Sequence, residues 1–406
     1  MNYMEVEITS RKIEIFFRDT FDSSCFKNET TQDCYSVFTG LAGVLLFYAE
    51  LYKISHDNQI KMKVNEMVSL IIDKINNSEE TLNSTYCTGL AGFAMLLLYL
   101  KEHDLVEDLD NEFFESIDDF LEAGVEYFLT TGNIDILHGA MGISLYFIKR
   151  KNTLVITKML NYIEVNLQYF NSCATWKKLD INSNNKYICD LGLSHGNASI
   201  LFFVGKCFEL NFNRVKCKKI IDNLLRFFQL NIQNMKIAGS LYPNYLTEEE
   251  FKNSIQNSSF SRMAWCYGDL GILHTILLVS TWIQDDVIYN WAIDCLKKTT
   301  LRQTFEETQC QDAEICHGSA GLAYIYRNAF RITNIGEFKA AENFWLKKTI
   351  EYGKNSNQKT CGYIFLTKQG FCPNYKLLEG LLGVALVLFE VSNNASPDWN
   401  SFLFLS

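Results

Sequence analysis

The stretch Glu314-Ile315-Cys316-His317-Gly318-Ser319-Ala320-Gly321-Leu322-Ala323 sets a thiol beside an imidazole, then opens an apolar segment with two glycines one helical turn apart. Read alone it is a pair of metal-ligand residue types at the mouth of a helix. It is not alone, because a polar or aromatic residue followed by Gly-x-x-Gly and an apolar run recurs along the chain. The units are Thr39-Gly-Leu-Ala-Gly43, Thr88-Gly-Leu-Ala-Gly92, His138-Gly-Ala-Met-Gly142, His195-Gly-Asn-Ala-Ser199, Tyr267-Gly-Asp-Leu-Gly271, His317-Gly-Ser-Ala-Gly321 and Glu379-Gly-Leu-Leu-Gly383. The fourth ends in Ser199 where the others have glycine.

Each unit continues into a segment that is apolar on most sides, such as Val44 to Tyr48 or Val384 to Leu388, which predicts helices buried on most sides. Between them lie segments with a single apolar face. Val64, Met67, Val68, Ile71, Ile72 and Ile75 fall at helical spacing, as do Phe113, Phe114, Ile117, Phe120 and Leu121. Residues 152–168, 214–231, 283–299 and 338–353 read the same way. Alternation of this kind predicts an all-α fold, an α/α barrel or toroid of seven inner and seven outer helices. The glycines are expected to let neighbouring inner helices approach one another.

The repeat makes one domain over residues 1–406 the economical reading of this length. Longer intervals near 171–190 and 235–262, with Asn182-Ser-Asn-Asn185 and Leu241-Tyr-Pro-Asn244, predict extra surface structure there. The alternation from Cys361 to Gly370 predicts a short hairpin. Order is expected throughout except in the last few residues.

Composition narrows the function classes. A net charge of -10 without a Lys/Arg stripe argues against nucleic acid. The sequence has no apolar run of about 18 residues, which argues against a transmembrane segment. The acidic start Met-Asn-Tyr-Met-Glu-Val-Glu lacks a secretory layout, so a cytoplasmic location is expected. Thirteen cysteines then read as reduced thiols, and no Cys-x-x-Cys pair occurs. Cys87, Cys207 and Cys295 read as small buried hydrophobes.

If the seven units are equivalent, the residue before each first glycine faces one end of the barrel. Three of the 6 histidines, His138, His195 and His317, share that position. Cys266 and Cys316 stand one residue earlier in consecutive units, Asp135 three before His138, and Arg262 four before Cys266. Cys266, Cys316 and His317 supply a Cys₂His set suited to zinc with a position left open. On residue types alone, His195 or His138 could equally complete a closed site.

At Trp265-Cys-Tyr-Gly268, Cys316-His-Gly318 and His195-Gly196 the chain resembles the lanthionine synthetase C family, and the resemblance extends through the seven repeats. It implies one zinc ion on Cys266, Cys316 and His317, an acid/base His195, supporting roles for Asp135, Arg262, Trp265 and Tyr267, and a small β-rich extension beside the toroid at the long intervals near 171–190 and 235–262. His138 is not a ligand in that pattern, and Glu379 and Asp269 read as charges favoured at helix starts. The implied reaction is Michael addition of a peptide cysteine thiol to dehydroalanine or dehydrobutyrine, giving lanthionine or methyllanthionine.

The expected substrate is a dehydrated precursor peptide with its leader. The chain has no room for a large dehydratase domain, so a separate dehydratase is expected, with an ABC exporter as a further partner that would hold the protein at the membrane periphery. The alternative is a non-catalytic zinc-containing relative that binds glutathione or another thiol as an adaptor. A glycosidase or terpene cyclase on a similar toroid would need paired carboxylates or an Asp-rich motif at the mouth, where this chain has a lone Asp135 and a thiol-rich set instead.

Overall fold

The computed structural model describes residues 3–21, 30–107, 109–170, 173–179, 186–253, 258–356, 359–395 and 398–406. The Asn182–Asn185 loop lies outside them. Two compact units emerge. One comprises residues 1–151, 312–315 and 346–400, and the other residues 152–311, 316–345 and 401–406.

Four of the repeats supply the buried helices of the first unit: Ala42–Ser55, Leu90–Glu102, Ala140–Arg150 and Leu381–Asn393. Ala42–Ser55 packs against both Leu90–Glu102 and Leu381–Asn393, and Leu90–Glu102 packs against Ala140–Arg150. The amphipathic helices Tyr3–Ile15, Asn58–Asn76 and Asn111–Thr130 lay their apolar faces on this row. In the second unit the buried helices are Asn197–Glu209, Asp269–Ile283 and Ser319–Thr333, with Asp269–Ile283 packed against both others. Arg214–Leu230 covers Asn197–Glu209, and Asp286–Thr299 covers Asp269–Ile283. With Thr153–Asn166 and Gly336–Tyr352, seven amphipathic helices accompany the seven buried ones among the described residues.

The two helix classes begin differently. Amphipathic helices start at Asp57, Asp110, Asn152, Asn213 and Asp285, whose side-chain oxygens accept first-turn N–H groups. Six of the buried helices start at glycine with no side-chain cap. Their first turns instead press on their own loops. A Cβ at Gly142 would stand 2.1 Å from the Ile136 carbonyl oxygen, and one at Gly271 would stand 2.1 Å from that of Trp265. Glycines one turn apart therefore chiefly admit the preceding loop, and close approach between helices is the lesser reason for them. At the fourth repeat the Ser199 hydroxyl donates to the Gly196 carbonyl at 2.7 Å, which accommodates its side chain.

Strands fill the two long intervals. β1 (Gln168–Phe170) pairs with β2 (Cys173–Thr175), and β3 (Lys178–Leu179), β4 (Tyr187–Asp190) and β5 (Tyr245–Thr247) form an antiparallel sheet with β4 central. β6 (Phe365–Thr367) and β7 (Gly370–Cys372) make the expected hairpin, centred a few residues later than the sequence placed it. The C-terminal residues are ordered, contrary to expectation. Phe402, Leu403, Phe404 and Leu405 are buried, and the Leu403 carbonyl accepts the Trp265 indole N–H at 2.7 Å. No disulfide joins the described cysteines, and no described helix is long and apolar enough to cross a membrane. Cys207 and Cys295 lie in helices as expected, whereas Cys87 is buried in the turn before Thr88.

Candidate metal centre

The equivalence of the repeat loops is visible in burial and in hydrogen bonding. Thr39, Thr88, His138, His195, Tyr267, His317 and Glu379 are all exposed or half-exposed, while the glycine after each is buried. Loops are stitched through the carbonyl one residue before that position. In the first unit Cys87 N–H donates to Leu137, Ile315 to Leu378 and Leu377 to Phe38. In the second, Ser194 donates to the Cys266 carbonyl at 3.2 Å and Trp265 to the Cys316 carbonyl at 3.1 Å.

That stitching brings the loops of His195, Cys266 and Cys316 together. The ligand atoms of Cys266, Cys316 and His317 all lie within 4.8 Å of one another. Cys266 is buried and the other two are half-buried, so the group has a closed side and an accessible one. Hydrogen bonding with Cys316 lowers the Cys266 thiol below the ordinary range, His317 and Arg262 lower it further, and burial opposes them. Arg262 is half-buried.

The loop holding Cys266 is anchored at both ends. Met263 and Gly268 form an antiparallel bridge, and Gly268 takes φ +83°, a left-handed conformation in which a Cβ would also stand 1.8 Å from the Arg262 carbonyl oxygen. Asp269 opens the helix Asp269–Ile283, the helix-start position the sequence reading gave it, but it does more than complement a dipole. It is fully buried, bonds the Arg302 guanidinium at 2.6 Å, and accepts the N–H groups of Leu241 and Tyr242. Arg302 in turn donates to the Ser261 carbonyl at 2.7 Å, fixing the start of the loop. Trp265 is 1 % exposed and stacks on Phe404, which makes it a framework residue behind its neighbour Cys266.

The His195 and Tyr267 rings are 6.2 Å apart. The Tyr267 hydroxyl donates to Asp190 Oδ2 at 3.2 Å; burial, followed by the Asp190 charge, pushes its pKa far above the ordinary value and keeps the phenol protonated. Asp135 belongs to the first unit, where its Oδ1 accepts the N–H groups of Leu137 and His138. His138 is exposed beside it.

Sequence reasoning missed Asp190 and Lys178. A signal was present: an Asn or Asp stands five residues before the motif position at Asn83, Asn133, Asp190, Asp312 and Asn374. Each side-chain Oδ1 accepts the N–H two residues on, an Asx turn repeated five times.

Comparison with known proteins agrees with this architecture. Residues 31–404 match the family described as lanthionine synthetase C-like protein. The chain belongs to that family. It is 24 % identical over 399 residues to nisin biosynthesis protein NisC of Lactococcus lactis subsp. lactis, covering 90 % of this chain and 88 % of that one. The solved nisin cyclase superposes with a TM-score of 0.75 at 21 % identity, covering 97 % of each chain. The fold is accordingly the expected α/α toroid of that family, with the small sheets as its extension.

Proposed function

We propose that this member of the lanthionine synthetase C-like family is a zinc-dependent peptide cyclase and that residues 1–406 act as one cyclase domain. The observation that carries the reading is the convergence of Cys266, Cys316 and His317 from two repeat loops, in a chain similar to a protein called nisin cyclase. The donor set fits zinc. Bonds of about 2.3 Å to sulfur and about 2.0 Å to nitrogen put tetrahedral donors roughly 3.5–3.8 Å apart, compatible with the observed cluster. Bound there, zinc would supply a Lewis acid that favours the thiolate of an incoming cysteine.

This chain's own side chains supply the rest. The reaction forms a carbon–sulfur bond at the β-carbon of dehydroalanine or dehydrobutyrine, breaks the carbon–carbon π bond, and moves the thiol proton to the α-carbon. His195, half-exposed beside Tyr267, is the group assigned to carry that proton. Arg262 offers a permanent positive charge to the enolate oxygen that develops during attack. Asp135 is assigned a supporting role through its own loop. Trp265 shapes the site from beneath by holding the Cys266 loop against the C-terminal residues. The substrate is a dehydrated precursor peptide with a leader, made by a separate dehydratase and passed on to an exporter.

The test is direct. Purified protein is assayed for zinc and incubated with a dehydrated precursor. Cyclisation removes alkylatable thiols while the peptide mass stays constant, because addition expels nothing. Zinc-loaded protein that binds the peptide and leaves every thiol alkylatable would overturn the cyclase reading in favour of a thiol-binding adaptor.

A further inference from the structure

The repeated Asx turn provides an internal standard. At the His138 loop Asn133 completes the turn alone, with Oδ1 accepting Asp135 N–H at 3.1 Å and Nδ2 donating to the His138 carbonyl at 3.0 Å. The equivalent residue of the His195 loop is Asp190, which has no N–H to give. Its Oδ1 still accepts Gly192 N–H at 2.8 Å, and the missing donor is replaced by Lys178 from β3. The Lys178 ammonium lies 2.6 Å from Asp190 Oδ2 and donates to the His195 carbonyl at 3.1 Å. An ammonium–carboxylate pair thus does what one amide does elsewhere.

The exchange leaves Asp190 Oδ2 free to accept a further donor, and it accepts the Tyr267 hydroxyl. Asp312 behaves alike, since its second oxygen accepts Leu366 N–H at 2.9 Å and ties in the β6–β7 hairpin. Aspartate at this position is therefore used to reach a second element. Asp190 is 4 % exposed, sits at the end of the central strand β4, and leaves no space for a Cβ at Gly196, where one would stand 2.4 Å from Oδ1. A buried carboxylate in so tight a cradle fixes what it bonds.

We propose that Asp190 is a positioning residue, with Lys178 as its clamp: one carboxylate fixes the Tyr267 hydroxyl and, through the ammonium, the His195 loop, so that phenol and imidazole keep one relation. The inference deepens the cyclase reading, on which its kinetic expression rests, and it assigns the β3–β4–β5 sheet the task of bracing the proton-handling residue.

Asp190→Asn tests it, because Asn133 shows that asparagine completes this turn and supplies its own donor. The variant is expected to keep the zinc content and melting temperature of the parent, to leave KM unchanged, and to lower kcat about 10-fold, as loss of a supporting hydrogen-bond partner does. The Tyr267→Phe and Asp190→Asn losses should fail to add in the double variant. With tyrosine labelled at Cζ, the resonance assigned to Tyr267 by its loss in Tyr267→Phe should shift in Asp190→Asn. An unshifted resonance, an unchanged kcat or strictly additive losses would overturn the proposal. Should Asp190→Asn fold poorly, Tyr267→Phe leaves the turn intact, and a kcat equal to the parent's there would overturn it equally. Failure of the parent protein to cyclise any dehydrated peptide sinks the proposed function and leaves the Tyr267 resonance to decide this inference.

Discussion

The loops of the first unit and those of the second are built on one plan and end in different chemistry. Both place an exposed or half-exposed residue before a buried glycine, pass a backbone hydrogen bond to the next loop and, in all but the Thr39 and Tyr267 loops, use an Asx turn five residues earlier. In the first unit the plan presents Thr39, Thr88, His138 and Glu379, and no metal-ligand group is found there among the described residues. In the second it presents His195, Tyr267 and His317, with Cys266 and Cys316 immediately before the last two. The frame is set by residues that recur, and the chemistry by those that do not. A single substitution at a recurring position should therefore damage the fold, and one at a variable position should damage only what that loop does.

The sharpest way to break this comparison is Cys316→Ala. Zinc measured in the purified variant should fall below one tenth of the parent's, and cyclisation should disappear. Full zinc occupancy would show that the thiol is not a ligand. Next comes His195→Asn, expected to retain zinc and lose about 100-fold or more in kcat, the scale of a general acid or base. Loss of zinc together with activity would instead make His195 part of the metal group.

A smaller effect concerns stability. His274, in the buried helix Asp269–Ile283, is fully buried with neither ring nitrogen hydrogen-bonded, and burial lowers its pKa to about 3. The unfolded chain, with an ordinary value near 6.5, binds the proton first as pH falls. Stability should thus be unaffected by this group above pH 6.5 and decline by about 1.4 kcal/mol per pH unit below it. Denaturant titrations of His274→Leu should show a flatter decline between pH 6.5 and 4; an identical slope would remove His274 from the account. The smallest effect is expected from His138→Asn, in the favoured register but in the other unit. Zinc content and kcat within 2-fold of the parent, an order-of-magnitude bound for a residue outside the reacting group, would hold the distinction between the two sets of loops. A 100-fold loss would erase it.

Much of the site was legible because the repeat supplies a register. Once Gly318 and Gly268 are aligned, Cys316, His317 and Cys266 fall at matching positions without any knowledge of contacts. Asp190 and Lys178 were not legible, although the Asx position recurs, because nothing in a sequence says that a carboxylate's second oxygen meets a phenol 77 residues away. Asp269 was placed at a helix start correctly, but its burial was not legible, for a related reason. An acid at a helix start is ordinarily a solvated dipole partner, and only tertiary packing seals it beside Arg302.

The linear sequence by itself determined the helix alternation, the glycine positions and the set of residues that could bind metal, since these depend on periodicity and local backbone demands. Tertiary structure alone decided which side chains meet: the Trp265 indole on Leu403, Arg302 on Asp269, and Tyr267 on Asp190. Each joins segments far apart in the chain. Their pairing follows from how packed elements close against one another, which no local pattern encodes. The opening Cys316-His317 pair names two candidate ligands, and the packed loops bring Cys266 to them.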